Sequence, residues 1–290
     1  MTTIALIGPG AIGGVVAAWL GQRREVDLVV CARTPFTTLK VETPDGQLSS
    51  RPRVVTDVRG LEPVDWVIVA TKTYDTAAAE TWFEPLVGAH TRVAVLRNGV
   101  EHLAPFLGRI STDRLVPAVV DIPAERTAPG RIRQRRNGWI RTPVGSAAED
   151  FVGLFSHSPI QATMVEDFAT EAWKKLALNC AGAVNALTLQ PAGIAHDEGA
   201  ASIMRTLVQE CVAVGRAEGA QLTDDLADAV VEGYRQGAQD AVNSMHADRL
   251  AGRPMELDAR NGVIVRLGAR HGVPTPANAL IVALLRAAAL

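Results

Sequence analysis

Ile4-Ala5-Leu6-Ile7-Gly8-Pro9-Gly10-Ala11-Ile12-Gly13 runs from a short apolar stretch through three spaced glycines into a helical pattern. The apolar run reads as a buried strand, and the glycines have the G-x-G-x-x-G spacing that turns a strand sharply into a helix. Gly8 permits the tight turn, Gly10 lets the backbone approach a phosphate, and Gly13 lets the helix lie close to the strand. The helix start at Ala11 and Ile12 offers unpaired N–H groups and the positive end of the helix dipole. In this strand–turn–helix setting Gly8, Gly10, Ala11, Ile12 and Gly13 are expected to bind the pyrophosphate of a dinucleotide.

Outward from this loop the first half of the chain alternates strand and helix patterns. Thr3–Ile7, Asp27–Cys31, Asp65–Ala70, Arg92–Leu96 and Leu115–Asp121 read as strands of nearly continuous apolar character. Such strands are buried on both faces by helices, which implies an N-terminal Rossmann-type, doubly wound parallel sheet in an α/β fold. Gly130–Gln134 and Trp139–Val144, split by Asn137-Gly138, predict an antiparallel hairpin, because Asn-Gly tolerates positive φ. Beyond Glu166 the β-rich runs stop. Glu166–Leu189, Ala200–Glu218, Asp224–Gly237, Glu256–His271 and Ala277–Ala289 have helical periodicity. The expected organisation is a cofactor domain over 1–165 and an all-α C-terminal domain, for substrate and catalysis, over 166–290.

Bulk composition narrows the function classes. The 290 residues fit two domains, and 48% hydrophobic content supplies sizeable cores. A formal net charge of −2 gives no reason to expect nucleic acid or a membrane surface as partner. The cluster Arg131, Arg133, Arg135 and Arg136 has no interleaved aromatic residues and reads as a solvated strand face. Cys31, Cys180 and Cys211 are odd in number, have no metal-ligand spacing and sit among aliphatic residues, so a reducing, cytoplasmic setting and no bound metal are expected. No apolar stretch is long enough to span a bilayer.

Polar residues converge on the sheet edge where parallel strands end. The second strand ends in Val30-Cys31-Ala32-Arg33, with no acid at its tip. An acid there would bind a ribose 2′-hydroxyl, whereas Arg33 suits a 2′-phosphate, so NADPH is expected as cofactor. Lys72 follows the strand ending at Ala70, and Asn98-Gly99 follows the strand ending at Leu96. In the helical half, Trp173-Lys174-Lys175-Leu176-Ala177-Leu178-Asn179 sets Lys175 and Asn179 four apart on one helix face. Lys175 is a charge on an otherwise apolar helix. A lysine desolvated in this way has a lowered pKa and suits proton donation to a carbonyl oxygen.

The glycine loop, Thr71-Lys72, Arg97-Asn98-Gly99, the Lys175 helix, Asn243-Ser244-Met245 and Gly252–Gly262, followed by His271–Pro276, together resemble the ketopantoate reductase (2-dehydropantoate 2-reductase) family over nearly the whole chain. The resemblance implies that Lys175 is the proton donor and Glu256 an active-site carboxylate beside it. It implies that Asn98 and Ser244 contact substrate, Asn98 also lying near the nicotinamide. Lys72 is implied on the cofactor side, and Arg33 at the 2′-phosphate. Asn179 joins the expected substrate-binding set. A dipole-favoured carboxylate at a helix N-terminus is a compatible role for Glu256.

Two features depart from the family. Ala183 stands where the family usually has a second asparagine, and Asn185, two residues on, falls about 200° further round a regular helix. The arginine-rich segment 131–136 replaces a more ordinary hairpin. The expected activity is reduction of a 2-oxo acid to a 2-hydroxy acid, with 2-dehydropantoate to pantoate first, in pantothenate and coenzyme A biosynthesis. Another bulky or aromatic 2-oxo acid, or a non-catalytic NADPH-binding regulator, are the alternatives. The apolar last helix and the helices over 200–237 can cover either a partner subunit or the chain's own core, and the reading leans to a homodimer.

Overall fold

The computed structural model describes residues 1–288. The described residues divide into two units, Met1–Arg97 with His102–Phe168, and Asn98–Glu101 with the chain from Ala169 onward.

In the first unit the strands are β1 (Thr2–Ile7), β2 (Val26–Cys31), β3 (Leu39–Thr43), β4 (Gly46–Ser50), β5 (Arg53–Val55), β6 (Trp66–Val69), β7 (Arg92–Leu96), β8 (Leu115–Asp121), β9 (Ala124–Ala128), β10 (Arg131–Gln134), β11 (Trp139–Pro143) and β12 (Gln161–Val165). Its helices are α1 (Ala11–Leu20), α2 (Thr76–Glu80), α3 (Phe83–Leu86) and α4 (Ser146–Gly153). Eight strands form one sheet in the order β12-β11-β8-β7-β6-β1-β2-β5, parallel throughout except where β11 meets β8. The continuous apolar runs follow from burial on both faces. Ile4 and Leu6 enter one core with Val15, Val16 and Leu20 of α1, while Ala5 and Ile7 enter another with Phe83, Leu86 and Phe106. The five strands anticipated from the sequence form the middle of this sheet, as a doubly wound α/β fold requires.

The predicted hairpin across Asn137-Gly138 does not form. β10 and β11 belong to different sheets: β10 pairs antiparallel with β9 and parallel with β3, while β11 pairs with β8 and β12. Gly138 has a different duty from a turn glycine. A Cβ there would stand 2.5 Å from the Asp121 carbonyl oxygen, so its bare backbone lets the chain cross the end of β8. The tight turn lies instead at Pro129-Gly130, with Gly130 at φ +69°. A second hairpin, β3–β4 around Pro44-Asp45, completes the four-stranded sheet β4-β3-β10-β9.

This small sheet accounts for the basic segment. Ile132 and Gln134 are buried, and a Cβ on Gly14 would reach to within 2.6 Å of Ile132, so that face of β10 lies tightly on α1. The alternate residues point to solvent and are neutralised: Arg133 pairs with Glu42 (3.0 Å) and Glu125 (3.3 Å), Arg135 with Glu125, and Arg136 with Asp121. It is a solvated strand face.

The second unit is helical: α5 (Phe168–Ala181, its first residue counted with the first unit), α6 (Ala183–Thr188), α7 (Glu198–Ala217), α8 (Leu226–Gln236), α9 (Ser244–Leu250), α10 (Val263–His271) and α11 (Pro276–Ala287). Its core gathers Leu176, Cys180, Met204, Leu207, Val208, Cys211, Ile264, Leu267 and Ile281. The single helix expected over 166–189 breaks at Gly182, where a Cβ would lie 2.8 Å from both the Asn243 side chain and the Tyr234 hydroxyl. The helix expected from Glu256 begins later, as one π turn at Asp258–Gly262 leading into α10. Glu256 therefore lies in the irregular segment before it. The last helix was expected to reach Ala289, which is outside the described residues. No helix among the described residues is long and apolar enough to cross a membrane.

Candidate active site

Three neighbouring parallel strands bring the cofactor-side candidates together in the first unit. Ile7 stands in register with Cys31 on one side and Val69 on the other, so β1, β2 and β6 end at one edge. Gly8 has φ +91°, and a Cβ there would lie 2.7 Å from the Thr71 methyl group. A Cβ on Gly13 would meet the Gly8 carbonyl oxygen at 2.2 Å. Both positions are closed to any side chain. Around Gly10, by contrast, no atom lies within 4 Å of the Cβ position, and no side chain caps the N-terminus of α1. The loop thus leaves open space before free N–H groups at Ala11 and Ile12, a cradle that fits a pyrophosphate.

Lys72 is half-buried and precedes the 3₁₀ turn Thr73–Asp75. Arg33, just past β2, has a side chain 80% exposed and pairs with Asp75 at 3.3 Å. Neither Asp75 nor Arg97 was read from the sequence as part of this edge. Arg97 is buried and braces the loop after β6: its guanidinium donates to Thr71 Oγ1 (2.9 Å) and Thr76 Oγ1 (2.8 Å) and lies over the Phe106 ring. Thr71 in turn packs on Gly8. A charged residue at the end of an otherwise apolar strand, two positions from Gly99, was the available signal.

The substrate-side candidates lie in the second unit. Lys175 and Asn179 are both on α5, one turn apart and half-buried, with Trp173, Leu176 and Ala177 turned into the core. Asn98 opens a four-residue loop fastened to the helices. Gly99, at φ +93°, lies so close to Ala259 that a Cβ would be 2.7 Å from its carbonyl oxygen. Val100 packs on the helical core, and Glu101 receives a two-pronged bond from Arg266 of α10 at 2.9 and 3.0 Å. So held, Asn98 donates through Nδ2 to Glu256 Oε2 (2.9 Å), and its Oδ1 accepts from Asn179 Nδ2 (3.4 Å). Asn179, Asn98 and the buried Glu256 thus form a chain of side chains one turn from Lys175.

Ser244 is not a member of that chain. It is the exposed first residue of α9, placed there because Asn243 caps the helix by accepting from the N–H groups of Met245 (3.1 Å) and His246 (3.0 Å). Asn243 also donates to the Gly182 carbonyl at 3.0 Å, which ties α9 to the break between α5 and α6. Arg260, inside the π turn, donates to Ser244 Oγ at 2.5 Å. Asn185 is turned away: it is buried and donates to the carbonyls of Gln190 (3.0 Å) and Pro191 (2.9 Å), so it shapes the following loop. Ala183 is wholly buried.

Two regions of the chain match the descriptions "Ketopantoate reductase PanE/ApbA", over residues 4–147, and "Ketopantoate reductase PanE/ApbA C terminal", over residues 167–289. The chain belongs to the ketopantoate reductase family. It is thus a pyridine-nucleotide-dependent oxidoreductase by membership. It is 69% identical to a 2-dehydropantoate 2-reductase of Caulobacter vibrioides over 100% of both chains. A 2-dehydropantoate 2-reductase of Mycobacterium tuberculosis is 38% identical, covering 99% of this chain and 98% of its own. Among solved structures, a 2-dehydropantoate 2-reductase from Geobacter metallireducens superposes with a TM-score of 0.92 at 25% identity, covering 99% of each chain. The family's two matched regions fall on the Rossmann sheet and on the helical unit.

Proposed function

We propose that this ketopantoate reductase family member reduces 2-dehydropantoate to pantoate with NADPH, in a cytoplasmic route to pantothenate. The observation that carries this reading is the Asn179–Asn98–Glu256 chain one turn from Lys175. The full-length likeness to a 2-dehydropantoate 2-reductase supports the choice of substrate.

The cofactor, when bound, supplies a hydride to the substrate's C2 carbon. The chain's own residues do the rest. Gly8, Gly10 and Gly13 keep the phosphate cradle clear, with the N–H groups of Ala11 and Ile12 facing it. Lys72 serves the cofactor side, and Arg33 reads the 2′-phosphate. Residues 1–165 would bind the cofactor, and 166–290 with Asn98 the substrate. Lys175 Nζ gives its proton to the C2 carbonyl oxygen, and the Glu256 carboxylate favours the charged lysine that performs this. Glu256 also fixes which way the Asn98 amide points, so Asn98 and Asn179 can hold the oxygen in line. Ser244 contacts the substrate. A homodimer is the proposed assembly.

Ala183 and the diverted Asn185 favour a second reading, in which a different bulky 2-oxo acid is reduced at the same site. Steady-state oxidation of NADPH across a panel of 2-oxo acids separates the readings. 2-Dehydropantoate is expected to have the highest kcat/KM, and Lys175→Ala to lower kcat about 100- to 10,000-fold. Turnover of none of the acids leaves only a non-catalytic NADPH-binding protein, and a fully active Lys175→Ala enzyme removes the role given to Lys175. Arg33→Ala is expected to raise the KM for NADPH about 10- to 100-fold while sparing NADH. Equal effects on both cofactors would remove its role.

A further inference from the structure

Arg260 is 3% exposed, yet its charge has no opposite number. Among the described residues no carboxylate pairs with it, and its Nε has no hydrogen-bond partner. Tyr234, whose phenol feels its charge, cannot supply one: that hydroxyl donates to the Leu178 carbonyl at 3.2 Å, and burial pushes its pKa up to about 12 despite Arg260. A buried guanidinium without an anion is costly, because it gives up hydration for no Coulombic return. Among the described residues its one side-chain bond goes to Ser244 Oγ, at 2.5 Å. Ser244 is exposed and uses its oxygen as acceptor there, which leaves its O–H to donate elsewhere.

The surroundings show which anion fits. Ala259, next to Arg260, is the residue against which the Asn98-Gly99 turn packs. The candidate substrate amides and the uncompensated cation are therefore parts of one small assembly on the helical unit. Planar guanidinium and hydroxyl donors side by side match the two oxygens of a carboxylate. Glu256 repels an anion, so the carboxylate belongs at the Arg260–Ser244 end and the neutral keto group at the Asn98–Lys175 end.

We propose that Arg260 is a substrate-specificity residue, which with Ser244 binds the C1 carboxylate of the 2-oxo acid and has its charge balanced only when substrate is bound. This rests on the proposed 2-oxo acid reduction. It also offers a donor in place of the amide that Ala183 lacks.

The test compares each 2-oxo acid with its neutral 2-oxo amide, using NADPH and the full-length enzyme. The wild type should prefer the acid by roughly 100-fold or more in kcat/KM, the size of effect expected for a charge-assisted, two-pronged bond. Arg260→Gln should raise the KM for the acid about 10- to 100-fold, leave kcat within a few-fold, and leave the amide unchanged, so that the preference collapses. Arg260→Lys keeps the charge without the fork and covers the case in which Arg260→Gln fails to fold. It should retain the preference at a raised KM. A wild type indifferent to acid or amide overturns the proposal, as does either variant with the wild-type KM and preference. A wild type that reduces neither compound defeats the underlying reductase reading, and this inference falls with it.

Discussion

His246 is 2% exposed, two residues beyond Ser244. Burial, then the positive charge of Arg249, hold its pKa below the ordinary histidine value of 6.5, with the Leu189 backbone opposing. A depressed pKa means that folding favours the neutral ring. Its stabilising contribution is present above about pH 6.5 and is lost as the pH falls through the lower, folded-state value, because only the unfolded chain protonates easily there. Thermal unfolding followed from about pH 7.5 to about pH 5 should show Tm falling on the acid side, with a shallower fall in His246→Gln. Parallel curves for the two proteins would assign the acid limb to other groups. The neighbouring cation behaves differently. Arg260 presents a guanidinium with no carboxylate partner among the described residues, and a buried charge of that kind has to be met by an anion.

The entry to α1 shows how an element is made by what its residues lack. Gly13 allows the first turn of the helix to rest on the Gly8 carbonyl, and a Cβ at 2.2 Å cannot be accommodated without moving one of them. Gly13→Ala should cost about 1–3 kcal/mol of stability, the usual range for overpacking. It should also weaken NADPH binding, since the shift falls on the phosphate cradle; denaturant unfolding and a fluorescence titration measure the two effects. Wild-type values in both would mean that the turn has slack. The break between α5 and α6 has the same logic. A glycine at 182 admits the Asn243 side chain, and Asn243 then caps α9 and sets Ser244 at its head. Periodicity over 166–189 reads as one helix because a break demanded by a distant side chain leaves no trace in local pattern.

At the scale of the molecule, each unit has its own core: two apolar layers on either side of the sheet, and one among the helices. Leu207 is wholly buried in the helical core and is not one of the candidate cofactor or substrate residues. Leu207→Ala should destabilise by about 2–5 kcal/mol, read as a lower midpoint of denaturation with an unchanged KM for NADPH. A loss under about 1 kcal/mol would mean that the core relaxes into the gap.

The sequence by itself determined the parallel sheet, because strands buried on both faces must be apolar throughout, and it determined the helical half through periodicity. It also singled out the residues whose chemistry is improbable where they stand, such as Lys175 on an apolar helix and a G-x-G-x-x-G after a strand. Arg260 carries a similar signal, a charge in line with Ile264 and Leu267. Only tertiary structure decided what Asn137-Gly138 does, since Gly138 serves a close approach to Asp121 rather than a turn. It alone showed that the basic face of β10 is spent on Glu42, Glu125 and Asp121, and that Asn98 is bonded to both Asn179 and Glu256. The reason is range. Burial pattern and turn chemistry act between near neighbours and are written locally, whereas a bond such as Asn98 to Glu256 joins residues 158 positions apart and exists only once the helices have packed.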